Sequence, residues 1–540
     1  MTIANEPYDV VIVGYGPVAE VLAIILGRKG RRVAIFERWT ERYALPRAVC
    51  IDHEMYRMLS QIGMRDELPT VSHAGPVYRW LNADWRELLA IDWSAESISG
   101  GPQVSFVHQP TMERLFDRHV RTLPSVEVHL GYDAVRVSQT EDVATLAVVE
   151  RATGEKHSVS AKFVIGCDGA NSLVQQAIGG GREDRGFEAD WLVIDILPNE
   201  GVTLDVPPAA QWCNPERPTT IVPAGVCDGR FFRRWEFMRL PHETIQDIEN
   251  EEMAWRLLEP WVRPDQATMV RHKVYTFRSL LAKRWCDGRL LIAGDAAHVM
   301  PPFMGQGMCA GLRDDWNLAW KLDLVLDGLA DHALLDTYQI ERSPHVSDVI
   351  DLSMYLGRMI CQPDPAMAAI RDEAFFSGTA PPPPDFPHLS DGILHRTSAG
   401  KPTDVAGLLS PHVVVCQRSE ATRLDDFTGG GFVLIADQAD LLDLSPAAKR
   451  VASDLDIKLI ALNGGSGGSE LIEDVDGRLA AFLVEHNTRA ILVRPDYYVY
   501  GGGATKGEVN GLLLALGLAV SLRGLGQETR NIVGDVDRAA

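Results

Sequence analysis

The chain has 540 residues, 46% of them hydrophobic and 23% charged, with 52 Lys and Arg against 74 Asp and Glu for a formal net charge of −22. That length calls for several domain-sized units and at least one large core. Such acidity argues against a nucleic-acid partner, whose phosphates need clustered cations, and disfavours an anionic membrane surface.

Tyr8 to Val13, YDVVIV, reads as a buried strand. Gly14-Tyr15-Gly16-Pro17-Val18-Ala19 then forms a tight turn, Val18 to Lys29 carries helical apolar spacing, and Arg32 to Phe36 reads as a second strand ending at Glu37. Residues 53–62 predict a helix behind an Asp52 N-cap, and 110–121 another with Pro110 at its start. Short alternating runs from about 125 to 167 end in AKFVIGCDGA. The runs WLVIDILP, TTIVPAG and FFRRWEFM, between about 190 and 280, predict a separate sheet inserted into the first domain. RLLIAGD at 289–295 is another buried strand, and a long helix spans about 306–327. Four prolines, Pro381 to Pro384, have linker composition. Beyond about 400, GGFVLIAD, IKLIALN and RAILVRPD predict a smaller α/β unit.

The eight cysteines, Cys50, Cys167, Cys213, Cys227, Cys286, Cys309, Cys361 and Cys416, show no C-x-x-C spacing. Neither a metal site nor a disulfide framework is expected. No apolar run reaches the roughly 18 residues of a spanning helix, and the start of the chain lacks signal-peptide character. A cytoplasmic location with no membrane partner is the expectation.

The first turn has the pattern G-x-G-x-x-A. It follows a strand, opens a helix, and is answered by Glu37, 21 residues after Gly16. Gly14 permits the turn, Gly16 lets backbone N–H groups approach a pyrophosphate, and the helix N-terminus supplies orphan donors. Glu20, in the first turn of that helix, either repels those phosphates or points to solvent. The pattern alone does not separate NAD from FAD.

Two later motifs do. One is Cys167-Asp168-Gly169-Ala170-Asn171-Ser172. The other is the run from Gly288 to His298 containing Ala293-Gly294-Asp295, followed by Pro301-Pro302-Phe303-Met304-Gly305-Gln306-Gly307. With the first motif, these resemble the three signatures of the class A flavoprotein aromatic monooxygenases, the para-hydroxybenzoate hydroxylase family, across most of residues 8–350. PRAVCIDHE at 46–54, QWCNPERPTT at 211–220, RRWEF at 233–237 and GQGMCAGLRDDWNLAWKL at 305–322 look most like the 3-(3-hydroxyphenyl)propionate hydroxylase branch. RPDYYVY at 494–500 resembles the thioredoxin-like C-terminal domain of that branch. With only Cys416 in that domain, a thiol redox role is excluded and a packing or dimerisation role is expected.

The resemblance implies an α/β fold. A Rossmann-like FAD-binding domain (1–185 and 285–375) would carry an inserted β-sheet substrate domain (186–284, with parts of 70–105). A linker (376–400) and the C-terminal domain (401–540) would follow. FAD would be the cofactor, with NADH or NADPH as co-substrate, and no second Rossmann unit is visible for the latter. Gly14, Gly16, Pro17, Ala19, Glu37 and Arg38 would hold the ADP half of FAD. Arg47 and Gln109 would contact its ribityl or pyrophosphate region, and Asp168 would lie near the pyrophosphate. Asp295 would bond a ribityl hydroxyl, while Pro302, Gly305, Gln306 and Gly307 would cradle the isoalloxazine. A helix starting near Gly305 also aims N–H donors at the flavin edge that gains negative charge on reduction. Its apolar Met308, Leu312, Trp316 and Trp320, at i+4 spacing, read as core.

In this family NAD(P)H reduces the flavin, O2 adds at C4a, and the hydroperoxide hydroxylates a phenol activated by a base in a dry pocket. His53 is the expected base, with a solvent-facing helix-start role as the alternative; family members with a His two residues after the Arg47 position have Val49 here. His298 reads as structural. Arg234 and Arg233 would meet a carboxylate tail, bind the NAD(P)H phosphate, or face solvent. Gln211, Trp212 and Asn214 would line the pocket. The expected partners are a small phenolic acid and O2, in a monomer or a homodimer. Rival readings are a hydroxylase of larger polycyclic aromatics, an NAD(P)H oxidase-type flavoprotein, and a silent FAD-binding interaction protein. The absence of a W-x-W-x-I-P signature disfavours a halogenase.

Overall fold

The computed structural model describes residues 6–42, 45–382, 384–464 and 469–523. They separate into two compact units: Met1–Ser97 with Gly101–Leu312 and Ser347–Phe386, and Ile98–Gly100 with Arg313–Val346 and Pro387–Ala540.

The first unit holds two large sheets. One is built on parallel strands in the order Leu290–Ile292, Lys156–Gly166, Tyr8–Val13, Val33–Glu37 and Val126–Leu130. Its central strands are buried on both faces, which is why they read as unbroken apolar runs. The helix Pro17–Arg28 follows the first of them. Residues 53–62 form a helix only over His53–Leu59; Gly63, at φ 99°, leaves Ser60–Met64 as a widened turn.

The second sheet has eight strands. In spatial order these are His298–Val299, Ala267–Ala282, Arg182–Pro198, Arg230–Met238, Thr219–Cys227, Ala209–Trp212, Val77–Leu81 and Glu87–Asp92. Strand alternation gives it two distinct faces. On one, Leu192, Ile194, Ile221, Trp235 and Phe237 pack on the helix Glu251–Leu258 and on Trp261. On the other, Tyr78, Trp80, Ala209, Cys213 and Val222 pack with Phe106, Cys50 and Phe303. The second is called the inner face below, because Phe303 belongs to the Pro302–Met304 turn that leads into the helix Gln306–Leu326.

The second unit contains a five-stranded mixed sheet. Val433–Ala436 runs parallel to Lys458–Ala461 and antiparallel to Ala490–Val493, which pairs with Val499–Gly503. This strand pattern, with the helices Pro446–Asp454, Arg478–Glu485 and Lys506–Ala519, is thioredoxin-like. Residues 313–346, expected with the first domain, group here. The reason is a buried ion cluster: Arg494 pairs with Glu341 and Asp496, each at 2.6 Å, and Lys321 with Glu341 at 2.9 Å. Leu312, Trp316 and Trp320 are buried, as expected of a core stripe, while Met308 at its start is half-buried. Pro383 of the proline run, and 465–468 and 524–540 of the C-terminal region, lie outside the described residues. Among the described residues no helix is long and apolar enough to cross a membrane.

Candidate functional site

The first turn is shaped by its neighbour. Gly14 sits at φ 98°, and a Cβ there would lie 2.5 Å from the Cys167 carbonyl oxygen, so only glycine fits. Gly16 caps the helix start with no side-chain bond, and a Cβ on it would meet nothing within 4 Å. Open space therefore lies in front of the first-turn N–H groups, which have no intrahelical acceptor. Pro17 takes the first helical position, and Ala19 is fully buried against the strands. The Glu37 carboxylate accepts from the backbone N–H groups of Tyr15 and Trp39, both at 2.9 Å, which fixes it over the turn. Arg38 is exposed next to it and lies over the Trp39 ring.

Asp168 follows the strand Lys156–Gly166. Its Oδ2 accepts from Leu173 N at 2.7 Å, while its Oδ1 is buried with no hydrogen-bond partner. Burial pushes this carboxyl above the usual range, against opposing hydrogen bonds from Ser172 and Leu173. Asp295 is exposed on the turn Gly294–Ala296. Between these acids lies Arg182, a residue the sequence reading missed; it donates to the Ala296 carbonyl at 2.9 Å. Burial holds the Arg182 guanidinium below its ordinary value, with Asp295 and Asp168 acting the other way. A lone Arg after three glycines gives no signal of its own.

Pro302 opens a short turn closed by Gly305 at φ 65°, and a Cβ at Gly305 would lie 2.5 Å from Cys50 Sγ. Gln306 and Gly307 then begin the helix Gln306–Leu326, whose N-terminal donors point out of this turn. Cys50 thus borders the turn. Burial, with Asp52 adding to it, pushes its thiol up to about 12, which leaves it an inert filler.

Arg47 is exposed, but its backbone is held on two sides. Gln109 Oε1 accepts from Arg47 N at 2.8 Å and Ala48 N at 2.6 Å, while Gln109 Nε2 donates to Glu113. Arg234 donates to the carbonyls of Arg47 at 2.6 Å and Pro46 at 3.1 Å. The same guanidinium grips both oxygens of the fully buried Asp195, at 2.7 and 3.1 Å. Arg234 was expected to meet a ligand; instead four of its five N–H groups are committed to the protein.

The other arginine is corrected too. Adjacent strand residues point to opposite faces, so Arg233 leaves the inner face and donates to the carbonyls of Pro207 and Pro208. Trp212 also lies on the outer face, stacked on Trp85 with ring centroids 4.8 Å apart. Gln211 is on the inner side, but its amide is tied to Thr219 O and Thr220 Oγ1. Asn214 accepts from Glu216 N and closes a local turn. Gln211 and Asn214 spend their amides within the protein, and the two polar atoms left without a partner, Arg233 Nε and Trp212 Nε1, belong to side chains that leave the inner face. His53 is the half-buried first residue of its helix, behind the Asp52 cap that accepts from Met55 N. His298 is buried against Trp285, consistent with a structural role.

The pairing of strand Ala267–Ala282 brings two residues to the inner face that sequence spacing did not reveal. Arg271 stands opposite Asp195 and Tyr275 opposite Trp191. Arg271 Nη2 lies 2.6 Å from Asp195 Oδ2, and Nη1 donates to Tyr275 Oη at 2.9 Å. Arg271 is 4% exposed, yet its Nε has no hydrogen-bond acceptor. Trp191 in turn lies 5.9 Å from the Phe303 ring, ring centre to ring centre. The inner face therefore carries Tyr275, Arg271, Asp195 and Arg234 in a row beside the Phe303–Gly305 turn. His108, stacked on Phe232, borders the same cluster; burial, then Arg114, pulls its imidazole down to about 4, so it is neutral near pH 7.

Comparison with known proteins agrees with this geometry. Residues 7–353 match the FAD binding domain family, and 407–516 match the HcaD C-terminal domain. The chain belongs to the FAD binding domain family and is an FAD-dependent aromatic hydroxylase. It is 35% identical over 524 residues, 96% of each chain, to a protein of Rhodococcus jostii (strain RHA1) named as a probable NADH-specific resorcinol 4-hydroxylase. It is 29% identical over 92% of each chain to the 3-(3-hydroxy-phenyl)propionate/3-hydroxycinnamic acid hydroxylase of Escherichia coli (strain K12). Among solved structures, the flavin-dependent monooxygenase PieE, in complex with FAD and substrate, shares the fold at TM-score 0.75 and 21% identity. That match covers 96% of this chain and 99% of the other. The residues present fit FAD: the space before Gly16, the Glu37 carboxylate over the turn and the orphaned Asp168 Oδ1 are each explained by it.

Proposed function

We propose that this chain uses NADH and O2 to hydroxylate a small phenol held on the inner face of the second sheet. The observation that carries this is Arg271: a buried guanidinium whose Nε has no partner, on the face that packs against Phe303. An unpaired buried donor costs about 1–3 kcal/mol, and a phenol or phenolate oxygen removes that cost. Tyr275 Oη already accepts from Arg271, so its own hydrogen is available to the ring hydroxyl. Tyr275 and Arg271 would orient that hydroxyl and stabilise the negative charge it develops as its proton leaves. Bound FAD supplies electron transfer from NADH and activation of O2.

In this reading Gly14, Gly16, Pro17, Ala19, Glu37 and Arg38 hold the ADP half, and Asp168, Arg182 and Arg47 border the pyrophosphate. Asp295 meets the ribityl chain, and Pro302, Gly305, Gln306 and Gly307 face the ring system. The parallel sheet is the FAD-binding domain, the eight-stranded sheet the substrate domain, and the C-terminal unit serves packing or dimerisation. Dependence on NADH fits a cytoplasmic location.

The relatives' named substrates, resorcinol and 3-(3-hydroxyphenyl)propionate, differ by a carboxylate tail. Of the cations expected for such a tail, Arg234 is committed to Asp195 and segment 46–48, and Arg233 leaves the inner face, which favours the neutral ring. The test is steady-state oxidation of NADH by the FAD-loaded protein with each phenol, with the mass of the product and the H2O2 yield. Resorcinol is expected to stimulate oxidation and give a product heavier by one oxygen. NADH oxidation unmoved by a broad phenol panel would sink the reading.

A further inference from the structure

We propose that Arg234 is a positioning residue that links occupancy of the phenol site to the chain segment 46–48 at the flavin site. The proposal rests on the phenol reading above and extends it to how the enzyme senses its substrate.

The argument starts at Asp195. This carboxylate is fully buried and shared by two arginines, Arg271 on the neighbouring strand Ala267–Ala282 and Arg234 on the strand Arg230–Met238. The two guanidiniums therefore compete for one anion. A third acid, Glu236, lies 3.6 Å from Arg234 Nη1. It stands farther off than Asp195, whose Oδ1 is 2.7 Å from Arg234 Nε. Whatever Arg271 gains from a ligand oxygen, it withdraws from Asp195, and Asp195 then binds Arg234 more tightly.

Arg234 passes this on because of its geometry. A guanidinium is planar, with five donors in fixed directions. One edge faces Asp195, and the remaining donors reach the carbonyls of Pro46 and Arg47. A small rotation toward Asp195 must move those carbonyls or break their bonds. The segment has a second anchor, Gln109, which accepts from the amides of Arg47 and Ala48. Residues 46–48 are thus suspended between a fixed amide side chain and a cation whose partner is shared with the substrate site. Side-chain packing adds to this: Val49 and Cys50, just beyond, lie in the apolar cluster that contains Phe303.

The test uses FAD-loaded full-length protein. The flavin absorbance band is followed during titration with resorcinol, and anaerobic flavin reduction by NADH is timed with and without resorcinol. Wild type is expected to show a resorcinol-induced band shift and about tenfold faster reduction, the usual size of a coupling between two sites. In Arg234→Lys a point charge cannot hold Asp195 and two carbonyls together. Resorcinol should still bind, but both the band shift and the stimulation should be lost. A purely structural role would lower FAD content or Tm and leave the stimulation ratio unchanged, so an FAD-loaded Arg234→Lys enzyme with the wild-type ratio overturns the proposal. If that variant does not fold, Arg234→Gln, which keeps an amide for the carbonyls but loses the charge that holds Asp195, takes its place, and an undiminished ratio there overturns it equally. A wild-type enzyme that answers to no phenol refutes the phenol reading itself; responsive wild type and responsive variants refute only the role of Arg234.

Discussion

Glu20 has no hydrogen-bond partner for either carboxylate oxygen and is fully buried in the first turn of the helix that starts at Pro17. Arg42 Nη1, at 4.0 Å, is its one ion-pair contact among the described residues. Burial pushes the carboxyl well above its ordinary range; Glu113 and Asp117 push the same way, against Arg42 and Arg121. The alternatives of phosphate repulsion or a solvent-facing side chain are both replaced by a third: the group is turned inward, where burial favours its protonated form. Because the folded state binds the proton more tightly, its stabilising contribution is full below the ordinary carboxyl value and is lost as pH rises toward the raised one. Glu20→Gln should therefore flatten the fall of Tm between pH 5 and 8 and raise stability at pH 8 by about 1–3 kcal/mol. Thermal denaturation of FAD-loaded and stripped protein checks this; an unchanged slope means that Glu20 is not the proton site. At the pyrophosphate turn, Glu37→Ala should weaken FAD binding about tenfold, the cost of roughly one hydrogen bond to a charged acceptor. Flavin absorbance after gel filtration reads it, and undiminished retention removes Glu37 from the ribose.

Elements defined by local spacing were legible; faces set by long-range pairing were not. The turn at Gly14 and Gly16 is a strand, a turn and a helix in sequence, so its geometry follows from adjacent residues. The turn into the helix at Gln306 was legible for the same reason. Arg233 and Arg234 show the limit. Alternation says that they point apart, but only the pairing of Arg234 with Val222, which packs in the cluster that contains Phe303, says which of them is on the inner face. Arg271 and Tyr275 were missed because antiparallel pairing, not spacing, brings them to Asp195. In the second unit, the helices Gln306–Leu326 and Asp336–Ile360 meet the strand Ala490–Val493 through Lys321, Glu341 and Arg494. Arg494→Met would leave Glu341 and Asp496 buried without their main cation, at a cost of about 3–5 kcal/mol. Urea denaturation of the full chain measures it. Burial pushes the Glu341 carboxyl up, but Arg494 and Lys321 outweigh this and bring it to about 2. Its contribution is therefore full above the ordinary carboxyl value and is lost as pH falls from there toward 2. Wild-type stability should drop in that window, and Arg494→Met should drop less.

At the scale of the whole molecule, a net charge of −22 faces an anionic reductant. Like charges slow encounter, and salt screens them over a Debye length of about 8–10 Å near physiological ionic strength. The rate constant for flavin reduction at low NADH should thus rise with added NaCl. Stopped-flow measurements between low and physiological salt test this, and a falling rate would reveal a local basic funnel that outweighs the net charge. The outer face of the second sheet has a different consequence. Trp85 and Trp212 stack at 24°, Trp261 meets both edge-on, and Trp235 lies 6.3 Å from Trp261. Four indoles this close share their electronic transitions, so the sheet should carry an exciton signature in its circular dichroism. Only Trp316 and Trp320 fall in the C-terminal unit. Light absorbed by indole therefore reports almost wholly on the first unit, which carries most of the FAD binding domain match, an optical gauge of that unit built into the chain.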